Sequence, residues 1–171
     1  PTLVVKEKEL AAKGLGLNNE IALKLHIKYA LGEKKYPVWG LSPCSTPDGS
    51  NGGYAEFGVN KLGSRGYNDE GVVTPHASFL ALDVDPKAVV ANLKNLLKLY
   101  EIYGEYGFYD AVDVDNSKVS YKYMSLDQSM AFVAMANYLK DGSIQRRFHQ
   151  DEYIKKVEYL LDEDFFQYSK I

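Results

Sequence analysis

Apolar positions along this chain fall mainly at helical spacing, and the repeat is broken by two long stretches with neither helical nor extended strand periodicity. Residues 2–5, Thr-Leu-Val-Val, read as a short β-like run. A helix is predicted from Asn18 or Asn19, either a plausible cap, to about Leu31. Leu23, Ile27, Ala30 and Leu31 there fall at i, i+4, i+7 and i+8, and Gly32 closes it. Thr74-Pro75 opens a short buried helix over 75–82, with Thr74 as cap and Pro at the first helical position. Asp85-Pro86 opens the clearest helix, in which Val89, Leu93, Leu96, Leu97 and Tyr100 make one apolar stripe; Gly104 ends it.

Beyond Gly104, Val119, Tyr121 and Tyr123 alternate with polar residues as a short strand would. Ser125 and Gln128 have the spacing of a capping box. The helix behind them, Met-Ala-Phe-Val-Ala-Met-Ala-Asn-Tyr-Leu, is apolar on nearly every face and is expected to be buried on all sides. Gly142 breaks it. A short segment over 144–148 and a final amphipathic helix follow, with Ile154, Val157 and Leu161 on one face. One all-apolar helix flanked by amphipathic ones predicts an inner and an outer layer. That pattern fits helical hairpins in a ring, or part of one, better than a four-helix bundle with short loops. The fold class expected is all-α with minor short strands, as a single domain over 1–171.

Length and composition support one soluble globular domain: 171 residues, 46% hydrophobic and 25% charged. Tyr departs from the average, with 14 copies, and points to surfaces needing a flat body with a polar tip, although some must edge the core. Net charge is −3 with no sustained Lys/Arg block, which argues against a nucleic-acid partner. No apolar run approaches the ~20 residues that span a membrane, and the N-terminus lacks a signal-peptide layout. The single Cys excludes an internal disulfide and any cysteine-built metal site.

Chemistry concentrates in the irregular stretch over 36–78, which holds the only Trp (Trp39) and the only Cys (Cys44). Irregular segments this long are usually functional. Glycines admit close backbone approach, and Trp39, Tyr54, Phe57 and Tyr67 offer faces for the apolar sides of sugar rings. Cleaving a glycosidic bond needs two carboxyl groups, and the loops carry Asp48, Glu56, Asp69, Glu70, Asp110, Asp113, Asp115 and Asp127. Taken one at a time, such acids more often cap helices and build turns; Asp127, in a first helical turn, is favoured by the helix dipole regardless of function.

Asp113-Val-Asp115-Asn116 lacks the later Gly and Glu of an EF-hand loop. His26, His76 and His149 have no zinc spacing, and only His76 adjoins the long loop. Cys44 has no nearby His in sequence and reads as a bystander. No phosphate-binding glycine motif occurs. No metal and no cofactor are expected.

Five ordered motifs carry a resemblance: PTLVV, YPVWGLSPCSTPDGSNGGYAEFG, GVVTPHASFLAL, GEYGFYDAV and YKYMSLDQSM. Together they resemble the bacterial glucoamylase-like (glycoamylase) family. That family is related to endo-β-1,2-glucanases of glycoside hydrolase family 144 and to a C-terminal domain of cyclic β-1,2-glucan synthases. The resemblance implies an (α/α)₆ toroid, of which about three hairpins, the C-terminal half, would lie here. In the family a Phe-Glu-x-Leu-Met segment, whose Glu is a candidate acid, precedes the first motif, so a missing N-terminal half or a second chain would complete the ring. By motif, Asp127 and Asp110 are implied as catalytic carboxylates. Trp39, Gly40, Asp48, Tyr54, His76, Tyr109, Tyr123 and Gln128 are implied to bind an oligosaccharide or β-glucan. A non-catalytic saccharide-binding module and an assembly domain are the rival readings.

Overall fold

Helices supply most of the regular backbone, and small two- and three-stranded sheets set the ends that matter for the site. The computed structural model describes residues 1–49, 53–63, 66–68 and 70–161; Asp69 lies outside them. A first turn of helix, α1 (Glu7–Leu10), precedes α2 (Leu15–Ile27), which runs on as a π-helical segment over Lys28–Glu33. Strand β1 (Cys44–Ser45) pairs antiparallel with β2 (Tyr54–Ala55). Next come β3 (Val72–Val73), α3 (Pro75–Phe79) and α4 (Pro86–Leu99). A hairpin, β4 (Tyr103–Gly104) with β5 (Gly107–Phe108), is followed by β6 (Ala111–Asp113) and β7 (Lys118–Ser120). The described residues end with α5 (Ser125–Leu139), α6 (Ser143–Phe148), α7 (Glu152–Lys155) and a 3-10 turn over Glu158–Leu161.

The other predicted helices form, with shifted ends, but the final amphipathic one is broken: after Lys155 the chain turns at Lys156 and Val157, and Glu158–Leu161 is a 3-10 turn. Helix α2 starts three residues before Asn18, because Gly16 lets its first turn sit against the α1 backbone; a Cβ there would lie 3.0 Å from the Glu7 carbonyl. Helix α4 begins as expected, with the Asp85 carboxylate accepting from the Ala88 N–H at 3.0 Å and Pro86 at the first helical position. It ends at Leu99, where Tyr100 turns extended, rather than at Gly104.

Four further expectations are corrected. Residues 2–5 form a turn: the N–H groups of Val4 and Val5 both donate to the Pro1 carbonyl, and Asn137 and Gln145 take up the carbonyls of Leu3 and Thr2. The capping box does not form, because Ser125 is already helical and the Gln128 amide donates instead to the Phe108 carbonyl at 2.9 Å. Strand β7 stops at Ser120, so Tyr121 and Tyr123 lie beyond it.

Helix α5 is not buried on all sides. It turns Ala131 and Ala134 onto α3, where small side chains permit close approach, and leaves Leu126, Phe132 and Leu139 more than 60% exposed. The Asp113 run is the turn between β6 and β7, with the Asp113 carboxylate accepting from the N–H groups of Asp115 and Asn116.

The core is stitched by a buried amide absent from the predicted stripe. Asn92, on α4, accepts from the Trp39 N–H at 3.0 Å and donates to the Trp39 carbonyl at 2.6 Å and to Ser78 Oγ at 2.8 Å. One side chain therefore satisfies both backbone groups of an irregular segment that has no ladder of its own. Gly40 completes the junction: at φ 127° its carbonyl accepts from the Thr74 N–H, and a Cβ would fall 2.8 Å from the Thr74 carbonyl. A bulkier residue is excluded both by the backbone conformation and by space.

Asn92→Ala strands the Trp39 N–H and carbonyl in the interior. Urea unfolding is expected to show a loss of about 2–4 kcal/mol, from two buried groups at roughly 1–3 kcal/mol each with partial relaxation. Truncating the exposed Lys94 on the same helix should change stability by less than about 0.5 kcal/mol.

Candidate functional site

Two pairings bring distant residues to one point. Strand β3 pairs with β6 in the register Val72 to Asp113 and Val73 to Val112, which sets the start of α3 beside Asp110 at the head of β6. Packing of α3 on α5 then lays Asp127, in the first turn of α5, against His76. Asp110 is held from a third side, since the Ser45 N–H on β1 donates to its Oδ2 at 2.7 Å while the Ser45 and Ser120 hydroxyls bond each other.

These side chains floor a cavity of about 600 Å³. Its walls are aromatic and apolar: Phe79, Tyr106, Phe108, Tyr109, Phe132 and Met135. Of the residues named from sequence, His76, Tyr109, Asp110, Asp127 and Gln128 meet here. Tyr123 stands directly behind the wall, its ring 4.9 Å from that of Tyr109.

Trp39 and Gly40 are not brought here. Trp39 is 4% exposed, packed in the core by the Asn92 bonds, and with Gly40 it borders a second cavity of about 270 Å³ together with His26 and Ser42. As a flat platform for a ligand in the main cavity, Trp39 is ruled out by position. Asp48 and Tyr54 are exposed and line neither cavity. The Tyr54 hydroxyl titrates above its ordinary value, through burial first and the Asp127 charge second, so it stands within electrostatic reach of the site. Phe79, Tyr106 and Phe132 were not singled out from sequence. Tyr106 sits in the glycine-flanked aromatic run Gly-Glu-Tyr-Gly-Phe-Tyr, and that run was the available signal.

The electrostatics centre on Asp110 and Asp127, which are 2% and 5% exposed. Asp110 Oδ1 and Asp127 Oδ2 are the two buried side-chain oxygens without a donor among the described residues. Two carboxylates cannot satisfy each other, whereas a carboxylic acid and a carboxylate can. Burial, then the hydrogen bond to Asp110 and its charge, push the Asp127 carboxyl up to about 7. A proton carried by one member of the pair would give these oxygens a hydrogen-bond donor. The Ser45 N–H occupies the other Asp110 oxygen, Oδ2, and Asp127 is the member of the pair whose carboxyl is raised.

His76 is uncharged at neutral pH, because burial lowers it to about 4 despite the opposing pull of Asp110. Its Nδ1 lies 2.7 Å from Thr74 Oγ1 and 3.3 Å from Asp127 Oδ2, and with the imidazole neutral the latter contact is not an ion pair. Nε2 meets Ser42 Oγ at 3.1 Å. Donor atoms of His76, Asp110 and Asp127 lie within 4.8 Å of one another, a spacing that would also admit a small cation. Cys44 is fully buried, and burial together with both Asp charges raises its thiol far from a reactive thiolate. His149 has a structural place, accepting from the Lys6 N–H and bonding Glu158.

Carboxyl ¹³C titration is expected to find Asp127 near pH 7, and Asp110→Asn to lower it partway, since burial persists when the charge is gone. An Asp raised from 3.8 to about 7 binds its proton more tightly in the folded chain. The stability it contributes is complete below about pH 4 and is lost as pH rises to about 7. Asp127→Asn should flatten the decline of unfolding free energy across that window; an unchanged slope would assign it to another group.

The Glycoamylase family model, described as "Putative glucoamylase", matches residues 12–152. The chain is 31% identical over 175 aligned positions to the cyclic β-(1,2)-glucan synthase NdvB of Rhizobium meliloti, covering 95% of this chain and 6% of that protein. In structure it resembles an endo-β-1,2-glucanase from Chitinophaga pinensis, solved with sophorotriose and glucose, with TM-score 0.66 at 23% identity. That match covers 80% of this chain and 32% of the other. A β-1,2-glucanase from Parabacteroides distasonis gives TM-score 0.74 at 20% identity, over 94% of this chain and 23% of that one. The chain thus spans a third or less of these relatives and shares the fold of that part. With more than three quarters of its length matched, the chain belongs to the glucoamylase-like family.

Proposed function

We propose that this chain forms the saccharide-binding cleft of a β-glucan-active glycoside hydrolase, with Asp127 and Asp110 as its proton-handling pair. The observation that carries the reading is the meeting of a buried carboxyl pair, Asp110 and Asp127, with aromatic walls in one open cavity. Aromatic faces take the C–H sides of sugar rings, and the carboxyl pair meets hydroxyl and glycosidic oxygens. A carboxyl group near pH 7 is suited to give or take a proton at neutral pH. β-1,2-Linked glucan is the favoured substrate class, by analogy with the glucanase relatives.

Two carboxyl groups that share a proton occupy one side of a bond. Two-carboxylate hydrolysis places its partners ~5–5.5 Å apart for retention or ~6.5–9.5 Å apart for inversion, with the bond between them. A further acid must then stand across the cavity. Glu105, exposed at the cavity wall, is one source; a segment of a longer protein completing an (α/α)₆ toroid is the other, and accords with the greater length of the relatives. The second reading, saccharide binding without turnover, is favoured by the same one-sidedness.

The 171-residue chain is expected to bind β-1,2-gluco-oligosaccharides in calorimetry while releasing little or no reducing sugar. A longer chain carrying the segments present in the relatives should hydrolyse them, and Asp127→Asn in that chain should lower kcat at least about 100-fold. Full activity with Asp127→Asn would remove the carboxyl pair from the mechanism. Binding that persists with no turnover in the longer chain would favour the second reading.

A further inference from the structure

Four tyrosines stand in unbroken ring contact leading out of the cavity. Tyr106 meets Tyr123 with centroids 5.6 Å apart, Tyr123 meets Tyr109 at 4.9 Å, and Tyr109 meets Tyr121 at 5.0 Å. Tyr106 and Tyr109 belong to the cavity wall, whereas Tyr121 lies beyond it. The two ends of the run are open, with Tyr106 73% and Tyr121 62% exposed.

The arrangement is held together by several independent contacts. Gly104, on β4, lies where the hydroxyls of Tyr109 and Tyr123 converge, and a Cβ at that position would collide with both. The Tyr109 hydroxyl titrates above its ordinary value, chiefly through its hydrogen bond with Tyr123. The Tyr106 N–H reaches the Tyr123 hydroxyl at 3.4 Å, and Gln128 fixes β5 to α5. An exposed aromatic cluster braced in this way has a cost that core packing does not explain, since its end rings bury little surface.

We propose that this tyrosine run is an extended binding track for the continuation of a glucan chain beyond the cavity, so that the site selects long saccharides over short ones. The inference rests on the saccharide reading of the cavity. A polysaccharide is the occupant that fits, because the run is continuous with the cavity wall and each ring pairs an apolar face with a hydroxyl rim. The neighbouring rings stand at steep angles, 80° for Tyr106 with Tyr123 and 81° for Tyr109 with Tyr121, so the surface is faceted rather than flat. A twisted chain of pyranose rings presents a faceted outline of its own, whereas a flat polycyclic ligand does not. Gly104 is the positioning residue of the track, acting through the two hydroxyls it admits.

The test is calorimetry of the 171-residue chain with β-1,2-linked glucose oligomers of three and of about eight units. The wild-type chain is expected to bind the longer oligomer at least about tenfold more tightly, the worth of one to two stacked rings. Tyr121→Ala should remove most of that gain and leave trisaccharide affinity within about twofold. Gly104→Ala should reduce the gain through Tyr109 and Tyr123. Should a variant fail to fold, tyrosine ring resonances of the wild-type chain decide the matter: Tyr121 signals should shift with the long oligomer and stay unmoved with the trisaccharide. Equal affinity for both oligomers, or a length gain that survives Tyr121→Ala, overturns the track while leaving the cavity reading intact. Binding of neither oligomer overturns the saccharide reading itself, and the track with it.

Discussion

Two buried carboxyl groups, Asp110 and Asp127, brought together with an unpartnered oxygen on each, are the constraint around which the site is built. Asp110, at the head of β6, and Asp127, in α5, come from different elements, and both side chains are almost wholly buried. Two neighbouring carboxyl groups so deeply buried resist being ionised together unless a cation or a proton offsets their charge. The fold supplies the asymmetry: a backbone N–H of β1 donates to Asp110, whereas Asp127, in the first turn of α5, has its carboxyl raised by burial and by Asp110. His76 adds hydrogen-bonding capacity beside the pair without adding charge, because its own burial keeps it neutral.

The surrounding architecture serves that juxtaposition. The β3–β6 register and the alanine face of α5 fix two of its three sides, and the hydroxyl pair of Ser45 and Ser120 fixes the third. The buried Asn92 carries Trp39 and Gly40 to the base of α3, which holds the Thr74–His76 segment at the right height. Trp39 thus stays in the core, its backbone bonded to Asn92 and to Ser78 of α3, a role unlike the stacking platform that its place in a glycine-rich loop had indicated.

Helix identities were readable because their apolar spacing is local: the Val89–Leu96 stripe and the Asp85-Pro86 start needed no tertiary information. The start of α2 and the fate of the Ser125–Gln128 box were not readable, because each is decided by a partner distant in sequence, the α1 backbone in one case and the Phe108 carbonyl in the other. The all-round apolarity of α5 was read as burial on all sides, yet its large side chains face outward in the described chain and one of them, Phe132, walls the cavity. At the site, the motif resemblance singled out the carboxyl groups, His76, Tyr109 and Gln128, which do meet. It also singled out Trp39, Asp48 and Tyr54, which do not line the cavity, since a motif records neighbours in sequence and says nothing of which way a loop turns. The tyrosine run escaped notice for the converse reason: Tyr106, Tyr109, Tyr121 and Tyr123 belong to two segments joined only by the fold.

The central claim is that this carboxyl pair floors a saccharide cleft, and its most direct test is a crystal structure of the chain grown with a β-1,2-linked gluco-oligosaccharide. The account predicts sugar rings against Tyr106 and Phe132 with a saccharide oxygen within hydrogen-bonding distance of the Asp127 carboxyl. A saccharide bound elsewhere on the surface, with the cavity left to solvent, would contradict it.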